Sequence, residues 1–252
     1  MTAKEEEGET PDQTPFLSIG VQDGRTAVQV YFEEDWQQGI GGGLWSTGLA
    51  FGKYLTTSHA AENLEKTGRG ISVLELGSGN GLLSVCLLAL AKHLQAKKGE
   101  AIIIEDLVVT DLEDHLPLIQ KTLDANQHLS SAATKIHVLE HAWGKFAEVT
   151  GAADSTTSTF SNRVQSGQHK FDLILGSDVA YHPDLYDILI ASMQQYAHAK
   201  TVLLIGVTMN DTKPEFFHKL RKAGFQYRKF ADHLLDKDFQ GRTFGIFQIQ
   251  KL

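Results

Sequence analysis

A single cysteine, Cys86, occurs in the 252 residues, so no disulfide can form within the chain. Cys86 falls inside an apolar helical pattern and reads as a core thiol. Neither paired-cysteine spacing nor a His-Glu-x-x-His run occurs, and the eleven histidines are scattered. The common zinc signatures are therefore missing, and no metal site is expected. Also absent is any apolar run of the roughly 18 residues that a bilayer helix needs. The first residues, among them Glu5, Glu6, Glu7 and Glu9, are acidic, unlike the basic start of a secretory signal. These absences predict a cytoplasmic chain that can also reach the nucleus, with no membrane attachment. Basic excess is missing too. A formal charge of −8 repels nucleic-acid phosphates at long range, so no direct nucleic-acid binding is expected and a basic partner is favoured.

A hydrophobic content of 42% suffices for a sizeable core, and nothing repeats internally. Residues 1–14 read as a disordered acidic tail, and residues 15–252 as one domain with an N-terminal extension over 15–70. In the extension, Phe16–Ile19 and Ala27–Phe32 read as strands joined through Gln22-Asp23-Gly24, a hairpin signal. A flexible glycine stretch, Gly39–Gly43, precedes a helix expected over Leu44–Leu64.

Strand and helix patterns then alternate, the mark of a parallel sheet covered on both faces. Strands are expected at Ile71–Leu76, Leu107–Thr110, Lys135–Leu139, Phe171–Leu175 and Thr201–Val207. Helices are expected at Gly81–Leu94, from Leu112 through Leu123, and over Asp184–Ala197 and Lys213–Ala223. Phe225–Phe230 and Phe244–Leu252 follow with no helical pattern between them, which predicts an antiparallel pair at one sheet edge. Gly151–Gln168, rich in Ser, Thr, Asn and Gly, reads as a flexible insertion. The expected fold is α/β: a Rossmann-like, doubly wound, seven-strand sheet with its last strand antiparallel and helices on both faces.

The most informative segment runs from Val73 to Leu83, a buried strand that turns through Gly77, Ser78, Gly79, Asn80 and Gly81 into an apolar helix. Glycines at alternate positions let backbone approach a ligand, and the helix start behind them offers unpaired N–H groups. A dinucleotide fingerprint would place its third glycine at position 82, where Leu82 stands. Glu75, just before the turn, suits an ammonium or ribose hydroxyls rather than a pyrophosphate.

Ligands of open parallel sheets bind beyond the carboxyl ends of the strands. The second such end carries Asp111, suited to both ribose hydroxyls, and then Leu112. The third leads to Trp143, a wall for an adenine ring, and the fourth delivers Ser177, Asp178 and Tyr181. Each has a plainer reading: Asp111 and Asp178 as helix caps, Trp143 as core. Asp178 and Tyr181 nevertheless sit where an acceptor amine would be oriented and shielded, and the imidazole of His182 lies beside them in the sequence.

The E-x-G-x-G-x-G run resembles motif I of the S-adenosylmethionine-dependent methyltransferases. Taken with Leu44-Trp45, Ala50 to Leu55, Val108 to Glu113, Asn126, Trp143-Gly144 and Asp172 to Asp178 in one order, the chain resembles methyltransferase family 16, the seven-strand protein lysine methyltransferases. That resemblance implies S-adenosylmethionine as cofactor and S-adenosylhomocysteine as product. It implies cofactor contacts at Trp45, Gly77, Ser78, Gly79, Asp111, Trp143 and Ser177, to which the strand-end reading adds Glu75, Gly81 and Leu112. Asp178 and Tyr181 become the catalytic pair and a protein lysine the acceptor, in an enzyme expected to be monomeric. A histidine, arginine or small-amine acceptor, or a non-catalytic binding module, stays open at this point. The 151–168 insertion and Ala180, where relatives carry a larger apolar residue, depart from the pattern.

Overall fold

The computed structural model describes residues 16–21, 26–57, 59–60, 70–96, 102–148, 159–241 and 243–252. The expected acidic tail and the Gln22-Asp23-Gly24 turn lie outside them. The flanking strands β1 (Phe16–Val21) and β2 (Thr26–Tyr31) pair antiparallel, as the hairpin signal between them predicts.

Seven further strands make one sheet. They are β3 (Ile71–Leu76), β4 (Ile104–Asp111), β5 (Lys135–Glu140), β6 (Phe171–Ser177), β7 (Ala197–Thr208), β8 (Phe225–Lys229) and β9 (Phe244–Lys251). Their spatial order is β5-β4-β3-β6-β7-β9-β8. Strands β3 to β7 pair parallel, and β9 runs antiparallel between β7 and β8. The chain moves outward from β3 on one side, then crosses to β6 on the other. A crevice therefore opens at the carboxyl ends of β3, β4 and β6.

Alternation along the strands divides the core into two layers. Ile71, Val73, Leu107, Val109, Leu173 and Leu175 face helices α1 (Ser46–Leu55) and α2 (Leu82–Ala96) and the Ile119 and Leu123 stripe of α3 (Leu116–Ala125). Leu74, Leu76, Val108 and Ile174 face the other way, toward Val164 of α4 (Phe160–Gln165), Leu189 and Met193 of α5 (Tyr186–Tyr196), and Phe216 and Leu220 of α6 (Pro214–Lys222). Cys86 is fully buried in α2.

Three local expectations change. The helix expected over Leu44–Leu64 breaks after Leu55, where two hydroxyls turn back onto its last carbonyls: Thr56 Oγ1 donates to Lys53 O at 3.0 Å and Thr57 Oγ1 to Tyr54 O at 2.7 Å; residues 61–64 lie outside the described residues. The Gly39–Gly43 stretch carries a short 3₁₀ turn, Ile40–Gly42, directly after another at Trp36–Gln38. Its glycines serve close packing, since a Cβ on Gly43 would lie 2.2 Å from the Trp36 ring and one on Gly41 2.4 Å from His115. In the stretch read as a flexible insertion, residues 151–158 lie outside the description, but the remainder carries α4. Thr159 caps that helix by accepting from Asn162 N, and Val164 anchors it in the core.

Candidate active site

A cavity of about 800 Å³ opens at the crevice. Trp45, Glu75, Gly77, Ser78, Gly79, Asp111, Leu112, Trp143, Ser177, Asp178 and Tyr181 all line it. Of the residues read from the sequence as cofactor contacts or as the catalytic pair, Gly81 alone stays off the wall. Its φ of 83° shapes the entry to α2, where its carbonyl accepts from Val85 N. A Cβ there would meet only ordinary contacts with Ile119 and Thr122, so backbone conformation rather than ligand approach selects the glycine.

Gly77 and Gly79 have the opposite explanation in addition to their φ of 61°. A Cβ on Gly77 would sit 2.8 Å from Trp143 and 2.9 Å from Val179, and one on Gly79 2.8 Å from Gly41 O. The turn is thus closed against Trp143 on one side and the Gly41 backbone on the other. Asp111 braces it: Oδ2 accepts from Gly79 N and Oδ1 from Leu112 N, each at 2.7 Å. Burial raises the Asp111 pKa, and the two amides and His115 oppose that rise. A carboxylate has about four acceptor positions, so two remain for hydroxyls.

Glu75 faces α2. Its Oε2 accepts from Ser84 N at 3.1 Å and from Ser84 Oγ, and burial pushes its pKa up to about 7 despite those bonds. The carboxyl therefore ties β3 to the first turns of α2 while touching the cavity.

The side of the cavity formed at the ends of β6 and β7 is assembled differently. Asp178 is the one non-glycine among the described residues with positive φ, at 52°. Its Oδ1 accepts from Thr208 N at 3.1 Å and Thr208 Oγ1 at 3.0 Å, and Thr208 Oγ1 lies 2.7 Å from Thr47 Oγ1. Because an ionised carboxylate only accepts, the hydroxyl chain has one direction: Thr47 donates to Thr208, which donates to Asp178. A positive φ costs on the order of 1–3 kcal/mol, and hydrogen bonds to a charged group return about 1.5–3 kcal/mol each. The two bonds outweigh the strain. Burial raises the Asp178 pKa, opposed by the threonine hydroxyls. A second stitch, from Thr212 Oγ1 to Ala180 O at 2.8 Å, holds the same loop and fully buries Ala180.

Several lining residues were not singled out in the sequence: Gly41, Gly43, His115, His141, Thr208 and Asp211 among them. His141 bonds Ser192 Oγ at 2.9 Å, and that oxygen also accepts from Gly144 N, which fixes the turn carrying Trp143. Burial lowers the His141 pKa to about 4, so the ring is neutral. No short motif marks these positions. His182 is exposed and caps the turn before α5.

The reversed last strand, the glycine turn after β3 and the acid closing β4 define the class: a methyltransferase dependent on S-adenosylmethionine. The cavity fits that cofactor. Ser177 Oγ is buried on its wall without a hydrogen-bond partner, a free polar group for the amino-acid end, and Gly77 and Gly79 line it beside Asp111. The chain belongs to the lysine methyltransferase family, whose model matches residues 25–223. Among curated relatives, the protein-lysine N-methyltransferase EFM6 of Saccharomyces cerevisiae is 24% identical over 225 residues, covering 86% of this chain and 83% of that protein. The protein N-lysine methyltransferase METTL21A of Mus musculus is 24% identical over 203 residues, covering 79% and 76%. A putative S-adenosylmethionine-dependent methyltransferase from Streptococcus mutans shares the fold at a TM-score of 0.51 and 14% identity, covering 94% of this chain and 56% of that one. Among the described residues no helix is long and apolar enough to cross a membrane, and no group of side chains suits a metal ion.

Proposed function

We propose that this chain methylates a lysine side chain of a protein substrate, with Asp178 and Tyr181 receiving the amine. The observation that carries this reading is Asp178: a strained carboxylate held at the cavity wall by Thr208, where no helix needs a cap. The names of the relatives support a protein lysine as acceptor.

When bound, S-adenosylmethionine supplies an activated methyl group on a sulfonium. The chain's own task is to align a neutral amine with that methyl group and exclude water. A lysine of ordinary pKa ~10.4 must lose a proton, which costs about 4.6 kcal/mol at pH 7. Asp178 attracts the incoming ammonium and then orients the nitrogen through a hydrogen bond. It is not a strong base, since its charge favours the protonated amine. Tyr181 supplies an aromatic face along the amine's path, and that surface lowers the lysine pKa by desolvation. The aligned nitrogen would take the methyl group that the cofactor supplies, leaving a neutral thioether, and would shed its extra proton to solvent.

Elsewhere on the cavity wall, Ser177, which precedes Asp178 at the end of β6, and Glu75 would border the amino-acid end of the cofactor, Asp111 would take the ribose hydroxyls, and Trp143 and Leu112 would flank the adenine. Trp45, Ser78 and the backbone of Gly77 and Gly79 close the cradle, which Gly81 shapes from behind. We assign the enzyme to the cytoplasm, with access to the nucleus, as a monomer. Incubating a cell extract with the purified protein and isotopically labelled S-adenosylmethionine, followed by site mapping, tests the acceptor: label on protein lysines supports it, and label confined to small molecules contradicts it.

A further inference from the structure

The large exposed apolar side chains are not scattered. The described residues hold eight: Trp36, Trp45, Ile103, Leu112, Tyr181, Ile188, Met209 and Leu252. Trp45, Leu112, Tyr181 and Ile188 line the cavity itself. Trp36 packs edge-on against Trp45 with ring centroids 5.9 Å apart, and Met209 directly follows the lining residue Thr208. Only Ile103 and Leu252 lie elsewhere. Trp36, at 59% exposure, and Leu112, at 50%, leave most of their surface in water. A contiguous apolar collar around a site mouth marks an interaction surface rather than ordinary surface scatter.

Charge around the collar has one dominant sign. Within four residues of the six collar side chains the exposed acids are Glu34, Glu113, Asp114, Asp184, Asp187 and Asp211, against one exposed cation, Lys213; Lys145 is a further exposed cation on the cavity wall. Asp184 lies 3.8 Å from His182, and Asp114 2.9 Å from His115. An anionic rim around an apolar ring repels an acidic segment and attracts a basic one.

We propose that this collar docks a basic segment of the protein substrate in which the target lysine is flanked by arginine or lysine and by at least one apolar side chain. The apolar residue packs on Trp36 and Trp45, and the flanking cations face Glu113 and Asp184 while the target lysine enters past Tyr181. The proposal rests on the protein-lysine reading above.

Arrays of lysine-centred peptides with systematically varied flanks, incubated with the purified enzyme and labelled S-adenosylmethionine, test it. Label is expected to concentrate on peptides with basic and apolar flanks and to decline as salt rises. Glu113→Lys with Asp184→Lys is expected to weaken labelling of those peptides by about fivefold per reversed charge, with S-adenosylhomocysteine binding unchanged. Trp36→Ala is expected to raise KM for them about tenfold or more. Label indifferent to flank charge, or favouring acidic flanks, overturns the proposal. So does label in extract proteins with none in any peptide, which would mean that a folded surface is read instead. Absence of label in both peptides and extract, with S-adenosylhomocysteine still bound, instead overturns the methyl-transfer reading beneath it.

Discussion

The two halves of the cavity are built by different means. On the side of β3 and β4, the wall is backbone: glycines at positive φ, and a carboxylate, Asp111, held by the amides of Gly79 and Leu112. On the side of β6 and β7, a non-glycine residue, Asp178, occupies positive φ and is held by side chains, Thr208 from β7 and behind it Thr47 from α1. A wall made of backbone accepts a ligand of fixed shape; one made of side chains can be retuned by single substitutions. On the proposed reading the first holds most of the cofactor, with Ser177 of β6 at its amino-acid end, and the second receives the acceptor.

The largest expected effect separates the halves. Asp178→Asn keeps a residue that tolerates positive φ but removes the charge, so turnover should fall about a hundredfold or more while S-adenosylhomocysteine affinity measured by calorimetry stays within about twofold. Equal losses in both would show that the two sides are not independent.

Next, Asp111→Ala should lower S-adenosylhomocysteine affinity by about 2–3 kcal/mol, because it removes both the ribose partner and the brace on Gly79. Unchanged binding would move the cofactor off this wall. A smaller effect belongs to the hydroxyl chain. Thr47→Val, of nearly the same shape, should reduce turnover about tenfold and shift its acidic limb to higher pH, as Asp178 loses support for its ionised form; Thr47→Ser should restore both. Loss at all pH values without rescue by serine would mean that Thr47 only packs.

The smallest effect concerns Glu75, whose folded pKa of about 7 lies above its ordinary value of 4.5. Such a group contributes stability that is fully present below about pH 4.5 and is lost as pH rises through 7. Glu75→Gln keeps an acceptor for Ser84 and removes that loss, so its Tm should exceed the wild-type value at pH 8 and converge with it below pH ~4.5. A constant difference across that range would contradict the buried, proton-holding state.

The same asymmetry explains what was legible beforehand. Strand β3, its glycine turn and α2 form one contiguous run, so periodicity and glycine spacing display them in the sequence, and Asp111 ends its own strand. Asp178 and Tyr181, which line the cavity, stand out in the sequence because they too follow a strand. Thr47 and Thr208 were not, because 161 residues separate them and a threonine carries no sign of what it will touch. His115 and Gly41 meet only through the fold, and the Gly39–Gly43 stretch looks like a flexible linker until Trp36 and His115 are packed against it. Helix α1 stopped early for a comparable reason: Thr56 and Thr57 fit a helical pattern, but their hydroxyls took the carbonyls that the next turn would have used.

Most direct is a comparison of the wild-type enzyme and Asp178→Asn incubated with labelled S-adenosylmethionine and a cell extract, with labelled sites mapped by mass spectrometry. The division of the cavity into a cofactor wall and an acceptor wall predicts label on lysine Nζ of protein with the wild type, and almost none with a variant that still binds S-adenosylhomocysteine. Label on another side chain, or wild-type labelling by the variant, would contradict it.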